Sequence, residues 1–248
     1  MDGGLFWALA VVASVWVGLG KGGLPVVGML AVPTLALVIS PITAAGLLLP
    51  VYVVSDMLGL YAYRREFDKR VLMIMMVGMT VGVAVGWATA RVTSEPLVTL
   101  IVGLIGASYA LNLLLKAKYD GPAKTPHWPG GLFWGTVTGF TSFVSHSGGP
   151  PYQIWVLPLK LTKSVFVGTS VISFAYVNAI KLVPYYFLGQ LSLSNLKIAV
   201  VLMIPAAIAV MTGVRLVKVL PEALFFRIVT WALLVVSLRL IWQGWASY

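Results

Sequence analysis

Three short constellations in this 248-residue chain hold residue types that could bind or move a charged solute. The first is Gly18-Leu19-Gly20-Lys21-Gly22-Gly23-Leu24-Pro25. Glycines let the backbone turn tightly and bare its amides. A helix beginning after such a turn offers an anion a partly positive N-terminus, and Lys21 adds a full charge. The second is Ser145-His146-Ser147-Gly148-Gly149-Pro150-Pro151. Its hydroxyls, imidazole and backbone amides suit oxyanion oxygens, and an imidazole can also take up a proton near neutral pH. The third is Asp56 with Asn178 and Lys181. Lys181 follows Asn178 by about one helical turn, so the two share a face. Asp56 is placed to neutralise Lys181 or Lys21, or to carry a coupling proton. Tyr52, Gln153 and Tyr176 are further polar lining.

Each constellation also has a plainer reading. The first-tip glycines would serve close helix packing while Lys21 snorkels to an interface. His146 would bond a backbone carbonyl in a packed turn, and Asp56 would form a structural ion pair. Catalysis is disfavoured, because the adjacent Ser145 and His146 cannot easily face each other as nucleophile and base. The GxxxxGK[ST] spacing of a phosphate-binding loop is absent. Two His, no Cys, and no HExxH or DxxD pattern argue against a metal centre. Asp2, Asp56, Asp68 and Asp120 never cluster, which excludes an Asp-rich prenyl-pyrophosphate enzyme. No cofactor is expected.

The elements that must position these residues follow from composition. Hydrophobic residues make up 60% of the chain, charged residues 10%, and the mean hydropathy is +0.97. A soluble domain averages about 25% charged residues and could not hide so much apolar surface. Disorder and a disulfide scaffold are excluded as well. An all-α polytopic membrane protein remains. Six stretches meet the requirement of about 20 apolar residues for a span: Ile42 to Tyr63, Val71 to Ala90, Pro96 to Leu115, Ser164 to Leu188, Ile198 to Val214 and Ala223 to Trp242. They are apolar all round, unlike barrel strands.

The segments around the two glycine-rich turns are shorter or broken. Leu5 to Leu19 and Leu24 to Ile39 flank the first, and Leu132 to Val144 and Tyr152 to Leu159 flank the second. The last is about eight residues, or about 12 Å of helix, too short for a hydrocarbon core of about 30 Å. Each pair is predicted to form a re-entrant hairpin of two short helices with its tip near the membrane interior. The first apolar run reads as part of the mature protein, not a signal peptide, because only Asp2 and no basic residue precedes Leu5.

The chain reads as two copies. Gly22-Gly23-Leu24-Pro25 with Pro33 matches Gly148-Gly149-Pro150-Pro151 with Pro158, and Asp56 falls opposite Asn178. Gly86 to Arg91 likewise matches Gly213 to Lys218, and Glu95-Pro96 sits near Pro221-Glu222. The expected domains are a transmembrane repeat over 1–115, a cytoplasmic linker over 116–130 and a second repeat over 131–248. Each repeat is a hairpin plus three spans, an odd number of crossings, so the second copy is inverted. Loop charge sets the orientation. Eleven of the 17 basic residues fall in cytoplasmic loops: Arg64, Arg65, Lys69, Arg70, Lys116, Lys118, Lys124, Lys160, Lys163, Arg215 and Lys218. Arg91 and Lys197 lie outside, and Lys21, Lys181, Arg227 and Arg239 lie within apolar runs. This positive-inside pattern puts both termini outside and turns the net charge of +10 into an orientation signal, with no nucleic-acid partner needed. Inverted repeats, broken helices and a midplane site are transporter architecture.

The glycine-rich turn followed by a proline-containing apolar run, present in both halves, resembles the TauE/SafE sulfite exporter family, also described as the toluene-sulfonate uptake permease family. The likeness spans nearly the whole chain. It is carried by Gly20-Lys21-Gly22-Gly23-Leu24-Pro25 with Pro33 and Pro41, and by Gly139 with Ser145 to Pro151 and Pro158. Lys21 stands where the family motif has glycine. The resemblance implies transport of sulfite, organosulfonates or related sulfur anions across a bacterial cytoplasmic membrane.

The expected function is therefore a secondary transporter of a small sulfur anion, an exporter in direction, working by alternating access around a midplane site. Its substrate-binding residues would be Gly20, Lys21, Gly22, Gly23, Ser145, His146, Ser147, Gly148, Gly149, Gln153, Asn178 and Lys181. Asp56 and His146 are the proton-coupling candidates. An anion channel and, less favoured, an intramembrane Ser/His enzyme are the alternatives. The partners expected are the anion, the bilayer and a second copy in a homodimer.

Overall fold

The computed structural model describes residues 3–115, 122–188 and 193–247. Lys116, Lys118 and Asp120 of the expected linker, and Asp2, lie outside the described residues. Among the described residues, eleven α-helices follow in order: α1 (Gly4–Lys21), α2 (Pro25–Gly28), α3 (Ala31–Leu35), α4 (Pro41–Tyr63), α5 (Lys69–Ala88), α6 (Glu95–Leu115), α7 (Trp128–Ser145), α8 (Gly149–Val156), α9 (Lys163–Phe187), α10 (Leu193–Val219) and α11 (Glu222–Ala246). A 3-10 turn at Leu157–Leu159 extends α8. Among the described residues, seven helices (α1, α4, α5, α6, α9, α10 and α11) are long and apolar enough to cross a membrane.

These seven include the six expected spans, with α1 added. At 18 residues α1 is about 27 Å long, longer than the short arm expected from the sequence. The break falls after it instead. Gly22 and Gly23 end the helix, Gly23 at φ 120°, and the following apolar run folds only into the short α2 and α3. In the second half, α7 ends on His146 in the left-handed region at φ 53°, and α8 spans only eight residues. Capping fixes some starts: Asp68 accepts the Val71 amide at 2.9 Å for α5, and His127 Nδ1 accepts the Gly130 amide at 3.2 Å for α7.

Packing divides the chain into two compact units that do not follow the sequence halves. One comprises residues 1–66 and 170–220, the other 67–169 and 221–248. In the first unit α1 packs on α10, α3 and α4, around a core that includes Phe6, Val17, Leu35, Leu48 and Leu202. Gly18 and Gly22 let α1 approach α10 closely. A methyl at Gly18 would meet the Ala206 carbonyl and Ala209 Cβ, and one at Gly22 would lie 2.8 Å from Gly213 Cα. In the second unit α5 packs along α7, and α6 along α11. The α5–α7 seam is backbone against backbone. Gly78, Gly82 and Gly86 on one helix face Gly135, Thr136, Phe140 and Phe143 on the other, and Gly139 faces the Met79 backbone. Small residues every four positions are what allow such close crossings.

Candidate functional site

Lys21 closes the last turn of α1 and is 6% exposed, an unusual burial for a lysine. Its position has a local cause. The α1 carbonyls give the helix C-terminus a partial negative charge, which favours an ammonium. The Lys21 side chain meets Asp56 from the middle of α4, with Nζ 2.6 Å from Oδ1. The contact is an ion pair. Lys21 Nζ also lies 5.4 Å from the centre of the Tyr52 ring. On the other oxygen of Asp56, Asn178 Nδ2 of α9 donates at 2.8 Å. Asp56 is 1% exposed and is the only buried carboxylate among the described residues.

Lys181, one turn further along α9, is fully buried, with Nζ 6.0 Å from the centre of the Tyr185 ring. The structure therefore gathers Lys21, Asp56 and Asn178 directly, with Lys181 on the adjoining turn. The group holds two lysines and one carboxyl side chain. An excess of positive charge in a low-dielectric interior would attract an anion.

Backbone amides play a different part from the one expected. At the first turn, the Gly22, Gly23 and Leu24 amides donate to the Gly18, Gly20 and Leu19 carbonyls. They close the end of α1, so the charge available there belongs to the Lys21 side chain. Two tyrosines that sequence reasoning did not connect to this turn hold it in place. Tyr63 donates its hydroxyl to the Gly22 carbonyl, and Tyr52 donates to the Gly28 carbonyl, both at 2.8 Å. The sequence marks Tyr52 only as polar lining, and Tyr63 ends an apolar span with no signal beyond its residue type.

The second turn lies in the other compact unit. The Ser145 hydroxyl donates to Ser147 Oγ at 2.9 Å, which donates to the Ser145 carbonyl at 3.0 Å. The Ser147 amide reaches back to the Thr141 carbonyl. His146 is half-buried and makes the left-handed turn. Pro150 and Pro151 contribute no amide hydrogens to the first turn of α8. Gln153, one turn along α8, is 1% exposed, and neither atom of its amide has a hydrogen-bond partner. Tyr176 is half-buried on α9.

One comparison with known proteins decides the family. The model of the family described as sulfite exporter TauE/SafE matches residues 6–240. The chain belongs to the TauE/SafE sulfite exporter family. No curated protein and no solved structure matches it. The TauE/SafE match takes in both turns and most or all of every long helix, and it makes the chain a multi-pass membrane protein of an exporter-type transporter family for sulfur anions.

Proposed function

We propose that this TauE/SafE protein is a secondary transporter that carries a small sulfur oxyanion or organosulfonate out of the cell, with Lys181 and Lys21 holding the anion. One observation carries the proposal: a buried group of two lysines and one carboxylate inside a transporter-family fold. Burying an ammonium ion is costly unless a counter-charge is at hand, and ionisable residues inside membrane proteins usually mark ion pathways. Asp56 balances one positive charge. A monovalent oxyanion balances the second lysine charge, a divalent one does so when Asp56 is protonated, and uptake and release change the charge of the group.

Asn178 and Tyr52 orient the two ends of the ion pair, Asn178 through its bond to Oδ2 and Tyr52 through its ring. Asp56 is the group that would couple the anion to a proton, because a protonated Asp56 frees Lys21 for substrate. His146 is the second coupling candidate. In the other compact unit, Ser145, Ser147, Gly148, Gly149 and Gln153 form a neutral donor set that suits sulfonate oxygens without adding charge. The two-copy order of helices supports an inverted-repeat origin, and a bacterial cytoplasmic membrane and a homodimeric assembly complete the proposal.

The test is flux in proteoliposomes loaded with sulfite, taurine or isethionate. Saturable flux that a pH gradient drives uphill, and that Lys181→Met and Lys21→Met together abolish, is expected. Unchanged flux in the double variant refutes the assignment. Flux that neither saturates nor runs uphill identifies a channel instead.

A further inference from the structure

Buried polar atoms on α9 continue beyond the lysine group. Ser170 and Ser173 are both 0% exposed, and neither hydroxyl has a hydrogen-bond partner. A buried hydroxyl without a partner costs free energy. A serine inside a helix can bond the carbonyl one turn back, as Thr138 does to Trp134 and Thr141 to Val137. The hydroxyls of Ser170 and Ser173 do not. At about 100° per residue, Ser173, Ser170 and Lys181 fall within an arc of about 80° on α9. Along the axis, Ser173 lies about 12 Å and Ser170 about 16 Å from Lys181. Gly59 of α4 packs toward Val171, and Asp56 of α4 meets Asn178, so the two helices run antiparallel. The serines thus lie on the part of α9 that leads from the lysine group toward its Lys163 end.

We propose that Ser170 and Ser173 form a second oxyanion subsite on α9, a waypoint for the anion between Lys181 and the Lys163 end of the helix. The two hydroxyls donate to sulfonate or sulfite oxygens as the ion passes. Hydroxyl oxygens can also ligate cations, but the positive lysine group on the same arc disfavours a cation here. The subsite rests on the anion-transport proposal for Lys21 and Lys181 and extends it to residues with no charge.

The chain has no cysteine, so Ser170→Cys and Ser173→Cys each introduce a single thiol. The probes are a sulfonate-bearing methanethiosulfonate reagent and its trimethylammonium counterpart, applied to the full-length protein in proteoliposomes. The anionic reagent is expected to modify either thiol at least about tenfold faster than the cationic one, with isethionate slowing it. Equal or cation-favouring modification, or none at both positions, overturns the subsite. Separately, Ser170→Ala/Ser173→Ala is expected to raise the KM for sulfite flux about tenfold or more, as loss of hydrogen bonds to a charged ligand implies. Its unfolding midpoint should stay level or rise, because an unpartnered buried group has been removed. Normal flux in this variant, with Lys181→Met inactive, overturns the subsite alone. Unaltered flux in the Lys21→Met/Lys181→Met variant overturns the transport proposal beneath it.

Discussion

Replacing Asp56 by Asn removes one charge and changes almost no volume, which makes it the sharpest probe of the buried group. The carboxylate receives Lys21 Nζ at 2.6 Å on one oxygen and Asn178 Nδ2 at 2.8 Å on the other. Without it, Lys21 and Lys181 remain as two buried lysines with no buried carboxylate among the described residues. Removing one partner of a buried pair costs about 3–5 kcal/mol, and a second lysine nearby places Asp56→Asn at the upper end. Lys21→Met leaves the carboxylate with its Asn178 bond and with Lys181 on the adjoining turn, so it belongs at about the lower end. In the double variant neither charge of the pair survives, and the amide at position 56 can still face Asn178. Its cost should fall below the sum of the singles by about 3 kcal/mol, at the top of the range for residues in direct contact. Equilibrium unfolding in mixed dodecylmaltoside–SDS micelles, read by the nine tryptophans, measures all three. A coupling energy below about 0.5 kcal/mol refutes the ion pair as an energetic unit.

Other perturbations test separate parts of the structure. Tyr63→Phe removes the hydroxyl bonded to the Gly22 carbonyl and leaves that acceptor without its donor; it should cost about 1–3 kcal/mol in the same unfolding assay, and flux should fall with it. Gly82→Leu would drive a side chain into the Thr136 and Phe140 backbone of α7. No rotamer change relieves backbone contact, so a loss at or above the usual 1–3 kcal/mol of overpacking is expected, measured as reduced yield of monodisperse protein and a lower unfolding midpoint. An exposed site such as Leu104 on α6 should tolerate the same enlargement, for example Leu104→Phe, with no change in either measure.

The membrane class and six of the long helices were legible in the sequence because hydropathy is a local property: each span declares itself within its own 20 residues. The members of the buried group were legible too. Lys21, Asp56, Asn178 and Lys181 are polar residues inside apolar runs, and their burial cost singles them out before any contact is known. Which helices pack together was not legible, because apolar faces carry no address. The fourfold spacing of Gly78, Gly82 and Gly86, and of Gly131, Gly135 and Gly139, was the available signal for the α5–α7 seam. The fate of the Gly22 and Gly23 amides was hidden for another reason. A glycine-rich turn can either present its amides to a ligand or fold them back onto the preceding helix, and its sequence is the same in both cases. Ser170 and Ser173 passed unnoticed because serine is common in membrane helices, and only their lack of partners sets them apart.

The interleaving of the two units has a consequence for biogenesis. The chain leaves the first unit at residue 66, returns at 170 and leaves again at 220. Neither unit is complete until much of the polypeptide has left the ribosome, so the first four helices must wait in the bilayer for α9 and α10. During that wait the most hazardous residues are the charged ones. Lys21 and Asp56 stand only 35 positions apart and meet without help from any later segment, whereas Asn178 arrives more than a hundred residues afterwards. The early pair can therefore neutralise itself while the nascent chain is still unfinished, and a chain truncated before α9 would hold its charges without holding a fold.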